Sequence, residues 1–473
     1  MNKHLRRTKA GVLCFALGLF VAVASAQNTS PPKAVTLQDA LNYALDHYPA
    51  VRAALEQVSA AHAGVSLALT QYLPQLSGVY QDSRATQNQV VGIWLPTPIT
   101  PTVEGPLGGY SGQSYWGSQA AALFSWEPAD FGLRSARVGQ ARTREDKSQA
   151  DLALTRLQVA SAAGNYFLLA VVDHEAAMTA QANVNRWQVF NKSVHVLVDN
   201  ELRPGAEASR ADAELARAKT QLYQAQQAEH TALDTLAALL SAAGSTIQVD
   251  ATGLLGPLPN GSPAEAPASE HPMARDQMAT LQESQAEEKI LRRTDFPRLL
   301  VQAEAFGRGS EVPNNGSIVG NANGLAPARG NWVAGFTVLF PDVFGLKALS
   351  AEKQMAKADE RSQKARYDQT IQDLTGQIQA ARDQLNAARL VAQETPVELA
   401  AARQSETQSR ARYQSGLATL VEVAEAENLL AQAETDDSIA RLNVWRGLFG
   451  VAYAQGDLQE FLRILGSAAP KEH

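Results

Sequence analysis

Apolar residues recur along this chain with two different periods. Ile371, Leu374, Ile378, Ala381, Leu385 and Ala388 are spaced by alternating steps of three and four, the spacing of a helix packed along a coiled-coil seam. Leu215, Ala218, Leu222 and Ala225 repeat it, and Ala232, Leu236 and Leu239 resume it after the charged Glu229. The segments that carry such seams are long. Leu133 to about Leu202 has no proline and few glycines, and its Ala, Leu, Gln, Arg and Glu are good helix formers. At ~1.5 Å per residue, a helix of that length approaches 100 Å. Periodicity alone leaves a coiled coil and an ordinary helical bundle equally open.

The second period is two. Trp332, Ala334, Phe336, Val338 and Phe340 share one face of a run in which Gly335 and Thr337 take the other. Leu300, Gln302, Glu304 and Phe306 alternate with Val301, Ala303 and Ala305 in the same manner, as half-buried strands do. Four of the six tryptophans (Trp94, Trp116, Trp126 and Trp332) lie in these strand-and-loop segments. Aromatic girdles of this kind mark transmembrane barrels; the core of a soluble sheet is the alternative.

The pattern is written twice. Pro49 and Pro74 bracket a helix-like stretch, and so do Pro272 and Pro297, at an offset of 223 residues. Pro128-Ala-Asp-Phe-Gly-Leu-Arg134 resembles Pro341-Asp-Val-Phe-Gly-Leu-Lys347 at an offset of 213. Two matches in one order argue for duplication. The first repeat is placed at 27–243, with strands near 74–87 and 115–128 and long helices near 133–202 and 206–242. The second is placed at 273–465, with strands near 297–309 and 331–341 and helices near 346–414 and 417–455. Residues 244–272 read as a Pro/Gly-rich connector and 466–473 as a tail. The Gly/Pro/Asn/Ser-rich stretches Gln87–Ser114 and Ser310–Gly330 read as loops between the paired strands.

The N-terminus carries a targeting signal: Lys3, Arg6, Arg7 and Lys9, then apolar Gly11–Val23, then Ala24-Ser25-Ala26. Residues 1–26 are therefore expected to be a secretory signal peptide. Its Cys14 is the only cysteine and follows Leu13, which argues against lipidation and leaves the mature chain without thiols. Removing four of the 41 basic residues leaves 37 against 48 acidic ones, a net charge of about −11. No basic stripe offers a nucleic-acid surface. Beyond the signal there is no apolar run long enough for a spanning helix, so entry into a membrane would have to be as strands of a closed barrel. Four strands per chain cannot close one; three chains would supply twelve.

Several pieces in one order carry a family resemblance: Thr36-Leu37-Gln38-Asp39-Ala40, the doubled prolines, the paired Phe-Gly-Leu-basic turns, and Arg412-Tyr413-Gln414-Ser415-Gly416-Leu417 shortly before Val421-Glu422-Val423-Ala424-Glu425. From about Val35 to Leu465 the chain resembles the outer-membrane efflux protein (TolC-like) family. The resemblance implies a mainly α fold with a small β part, in which the duplicated strand hairpin and long-helix hairpin assemble as a homotrimer. It implies a twelve-stranded β-barrel in outer-membrane lipid continuous with a twelve-helix α-barrel across the periplasm. It further implies a periplasmic adaptor protein and an inner-membrane transporter as partners, no cofactor, and passive export rather than catalysis.

The resemblance also points to working residues. The helix tips, turning at Gly205 and Gly416, would form the periplasmic aperture. Glu422 and Glu425 match the acidic residues that ring it, Asp212 follows the first tip at nearly the same distance, and Tyr413 matches a latch tyrosine. A threefold acidic ring attracts cations and can be blocked by them; a solvated helix face is the plain alternative. Where the family carries a basic residue two after the tip glycine, this chain has Ala418. Pro396 either kinks the helix before the second tip or begins a new segment. His174 has no second ligand at helical spacing, Glu287 and Glu288 point apart on a helix, and no nucleotide-binding or nucleophile motif is present. The alternative function is a periplasmic adaptor of such a system, which should carry one helical hairpin where this chain has two; a secreted structural coiled coil would leave the aromatic strands unexplained.

Overall fold

The computed structural model describes residues 34–86, 114–256, 258–259, 261–311, 322–340 and 345–468. The signal peptide, Cys14, Trp94, most of both interstrand loops, Pro341–Phe344 and the end of the tail lie outside the described residues. In chain order the elements are β1 (Ala34–Val35), α1 (Leu37–His47), α2 (Pro49–Thr70), β2 (Gln75–Thr86), β3 (Ser114–Ala129), α3 (Leu133–Asp199), α4 (Gly205–Leu239), β4 (Gln248–Val249), α5 (Pro272–Arg293), β5 (Arg298–Ser310), β6 (Arg329–Leu339), α6 (Leu346–Gln414), α7 (Leu420–Gln455) and α8 (Gln459–Ala468). Short 3-10 turns fall at Ala268–Glu270 and Ala322–Leu325.

Local chemistry explains the boundaries. Thr36 caps α1 by accepting from the Asp39 amide at 3.2 Å. Pro49 and Pro272 open α2 and α5, where a missing N–H costs nothing. Between β3 and α3 the chain reverses through Phe131 and Gly132, both at positive φ (50° and 93°), and Arg293 of α5 donates to the Phe131 carbonyl at 3.2 Å. α6 is continuous across Pro396, so the proline does not begin a new helix.

The long helices organise the rest. α3 has 67 residues and α6 has 69, each about 100 Å at ~1.5 Å per residue. The shorter α2 and α4 both pack along α3, and α5 and α7 both pack along α6. Each repeat is thus two helical columns, one unbroken and one of two stacked pieces. α3 also packs on α5 and α7, which joins the repeats. The seam residues Leu374, Ile378 and Leu385 are buried, as are Ala218, Leu222, Ala232 and Leu236. Glu229, the charge that interrupts the second seam, meets His174 of α3 at 2.7 Å. At Gly164 the repeats approach so closely that an added Cβ would lie 2.7 Å from Cε2 of Phe449.

The main core lies midway along the helices. Phe461 of α8 packs edge-on against Trp445 and Phe449 of α7, at 6.2 and 5.2 Å. The stretch read from the sequence as a connector is built into this core. Its Ile247 and Leu254 are buried, β4 pairs in parallel with β1, and the Leu254 carbonyl accepts from Trp445 Nε1 at 3.0 Å.

The other four strands form one antiparallel sheet in the order β2-β3-β5-β6. The register sorts its residues by face. Gly78, Ala122, Ala305 and Trp332 form one cross-strand row; Leu76, Phe124, Ala303 and Ala334 form the next; Trp126, Val301 and Phe336 form the third. This face is apolar. The opposite face carries Gln75, Ser125 and Gln302 in one row and Gln81, Gln119, Arg308 and Arg329 in another. Trp332 is 80% and Phe336 73% exposed, so the apolar face lies open on the single chain. A bulge between Trp126 and Ala129 coincides with Pro128, which has no N–H for the ladder.

Candidate functional site

At the end of the helices away from the sheet, the two hairpin tips meet over a second core. Trp187, Phe190 and Val194 of α3, Ala211, Ala218 and Leu222 of α4, Tyr413 of α6 and Leu420, Val423 and Ala424 of α7 are buried together. The aromatic rings step from Trp187 to Phe190 (5.8 Å) to Tyr413 (5.4 Å). The second tip turns at Gly416, φ 74°, with the Leu417 amide bonded back to Arg412 at 2.8 Å, the six-to-one closure of a helix C-terminus. At the first tip the left-handed residue is Glu201, φ 57°, with Leu202 bonded back to Leu197 at 2.9 Å. Gly205 is instead the first residue of α4. The expectation that Gly205 supplies the unusual dihedral is therefore corrected: the turn closes four residues earlier, before Pro204 sets up the next helix.

Tyr413 joins the tips. Its hydroxyl donates to Glu207 Oε2 of α4 at 2.7 Å. Burial and the Glu207 carboxylate beside it push its pKa up to about 12, so it remains a neutral donor. Arg203 lies over the ring at 4.6 Å, donates to the Tyr413 carbonyl at 3.0 Å and stands 3.8 Å from Glu207. Position 418 is alanine, and the cation over the tyrosine ring, Arg203, comes from the first tip.

The acidic candidates occupy three different settings. Glu422 is exposed but engaged: it accepts from the Thr419 amide at 3.2 Å, and its own amide donates to the Thr419 hydroxyl at 3.4 Å. This capping box starts α7. Glu425 is exposed one turn on. Asp212 accepts from Asn191 Nδ2 at 2.8 Å and meets His195 Nε2 at 2.9 Å, both on α3. Those two bonds hold its carboxyl below the ordinary range.

One buried acid escapes the sequence reading. Glu427, only 1% exposed, meets Arg186 of α3 at 3.1 Å and pairs with Arg410 of α6. Arg186 also reaches Glu434 at 2.9 Å, and Arg410 reaches Glu406 at 2.8 Å. Burial pushes the Glu427 carboxyl above its ordinary value, against the pull of the two arginines. Position 427 fits the inward face of α7, since Val423, Leu430 and Ala433 are buried with it; a charge on an apolar stripe is the available signal. Among the described residues, no cluster of three or more His, Cys, Asp or Glu is placed to hold a metal ion, and no helix is long and apolar enough to cross a membrane.

Comparison with known proteins gives a consistent result. Residues 268–446 match the sequence profile of the outer membrane efflux protein family. No curated protein matches the chain by sequence. Among solved structures, the outer membrane protein VceC of Vibrio cholerae superposes with a TM-score of 0.70 at 16% identity, covering 89% of this chain and 96% of that one. The outer membrane channel CmeC of Campylobacter jejuni gives 0.71 at 15% identity, with 92% and 90% covered. The open state of the MtrE outer membrane channel of Neisseria gonorrhoeae gives 0.67 at 18%, with 89% of each chain covered. The shared fold takes in nearly the whole chain, both helical hairpins and the sheet, and does not support the single-hairpin adaptor alternative.

Proposed function

We propose, from the premise that this chain belongs to the outer membrane efflux protein family, that it is one protomer of a homotrimeric export channel in the bacterial outer membrane. The two-faced sheet carries the argument. Its order leaves β2 and β6 as edges, and lipid tolerates no open edge. Strands of 11 to 16 residues meet or exceed the ~9–11 that a tilted strand needs to span. Placing β6 of one copy antiparallel to β2 of the next closes twelve strands from three copies, with Trp126, Trp332 and Phe336 toward lipid and Gln81, Gln119 and Gln302 toward the lumen. The four helical columns per chain then make a twelve-column wall below it.

The tips close that wall on the periplasmic side. The Tyr413–Glu207 hydrogen bond, backed by Arg203, latches one hairpin to the other within each protomer. Glu422 and Glu425 ring the opening in threes, with Asp212 flanking them. A periplasmic adaptor bound to an inner-membrane transporter draws the hairpins apart, and cargo diffuses out without energy use by the channel. Single-channel recording in planar bilayers tests this. Wild-type protein should give discrete steps blocked by multivalent cations from the periplasmic side only, and Glu422→Gln/Glu425→Gln should lose the block. A protein that never inserts refutes the channel; steps with equal block in both proteins refute the acidic ring.

A further inference from the structure

Building on the channel reading, we infer that the buried charge cluster around Glu427 is an acid-operated lock, which takes up one proton per protomer while the tips are together and holds them shut as pH falls. The cluster spans both hairpins. Arg186 comes from α3 of the first; Glu406 and Arg410 come from α6, and Glu427 and Glu434 from α7, of the second. α4 brings Arg217 to the neighbouring cavity lined by Asn428 and Gln432, exposed to solvent and outside the cluster. Glu427 lies two turns into α7, about 10 Å from its start at ~1.5 Å per residue, so it sits just behind the tips. Three carboxylates thus face two guanidiniums, and with every acid ionised the cluster carries one uncompensated negative charge. Hydrogen bonds do not make it up. Glu406 Oε1 and Glu434 Oε2 are buried without a hydrogen-bond donor, although they stand 2.8 and 2.9 Å from guanidinium nitrogens.

Net charge in so enclosed a site is costly. Burial holds the Glu427 carboxyl above its ordinary value, Arg410 and Arg186 pull it back, and Glu406 adds to the rise. One proton on the cluster leaves two carboxylates for two guanidiniums. Arg186 then stays on Glu434 and Arg410 on Glu406, while a neutral Glu427 keeps its buried place. Drawing the hairpins apart takes Arg186 away from Glu427 and Glu434 and admits water, which returns the acids towards ordinary carboxylate values. The proton is therefore held more tightly with the tips together than apart, and by linkage each proton bound favours the closed tips. This stabilisation is complete below the ordinary carboxylate value of the open state. It is lost as pH rises through the raised value of the packed cluster.

The test is the ratio of open to closed dwell times of single channels, recorded from about pH 7.5 to about pH 5. One proton per protomer changes that ratio by up to about tenfold per pH unit, and the wild type should lose at least about tenfold across the range. Glu427→Gln copies the protonated state and should hold the low ratio at every pH. Glu434→Gln, at a half-buried position, also leaves two acids for two arginines and should flatten the dependence even if Glu427→Gln fails to fold. A wild-type ratio that is flat or rises in acid, or a wild-type slope retained in the variants that fold, overturns the lock and leaves the channel standing. Absence of conductance in wild type removes the channel reading and the lock with it.

Discussion

Tyr413→Phe isolates the proposed latch. The substitution keeps the ring, so packing on Phe190 at 5.4 Å and under Arg203 at 4.6 Å survives. Only the hydroxyl that donates to Glu207 at 2.7 Å is lost. A hydrogen bond to a charged acceptor contributes about 1.5–3 kcal/mol. Glu207 is partly solvated and keeps Arg203 nearby at 3.8 Å, which favours the lower end. Three equivalent latches, far enough apart to add, give about 4–5 kcal/mol per trimer, or roughly a thousandfold shift from closed toward open. The pH dependence follows from the raised value. Tyr413 titrates at about 12 in the fold against about 10 unfolded. Its contribution is therefore complete below pH ~10 and lost as pH rises toward 12, so the latch holds with constant strength across the neutral range. The assay is the fraction of time that single channels spend in the high-conductance state at neutral pH. Tyr413→Phe channels with wild-type conductance and wild-type dwell times would refute the latch.

Two further substitutions probe the sheet and the buried network. Phe336→Arg places a charge on the apolar face, which costs about 2–4 kcal/mol at the membrane midplane, so the yield of trimer in the outer membrane should collapse; Thr337→Arg, one residue on and facing the lumen, should assemble normally, and the reverse order would mean the faces are exchanged. Arg186→Leu leaves buried Glu427 with Arg410 alone and strips Glu434 of its partner, a loss of about 3–5 kcal/mol for a broken buried pair. Glu427→Gln leaves Arg186 on Glu434 and Arg410 on Glu406 and should cost only about 1 kcal/mol; thermal denaturation of the two variants should rank them in that order.

Much of this molecule is legible from its sequence because the signals are local or repetitive. The seam through Leu374, Ile378 and Leu385 marks α6, since helical periodicity needs no distant partner. The doubled prolines locate α2 and α5 because proline fixes its own dihedral. Gly416 is readable as a turn for the same kind of reason. Long-range pairing is not written locally. The order β2-β3-β5-β6 depends on β3 pairing with β5, two strands far apart in the chain. The segment around Leu254 reads as a connector because its few apolar residues have no period, yet Trp445 draws it into the core. Gly205 stands out by its residue type, but the tip closes on Glu201 because the geometry of α3's last turn, not composition, selects the left-handed position. Glu427 stands out on the apolar stripe of α7, but its partners Arg186 and Arg410 are fixed only when three helices converge on it. Local conformation is thus determined by the sequence itself, whereas the partners of each charge and the face each strand presents are decided only when segments separated by hundreds of residues pack together.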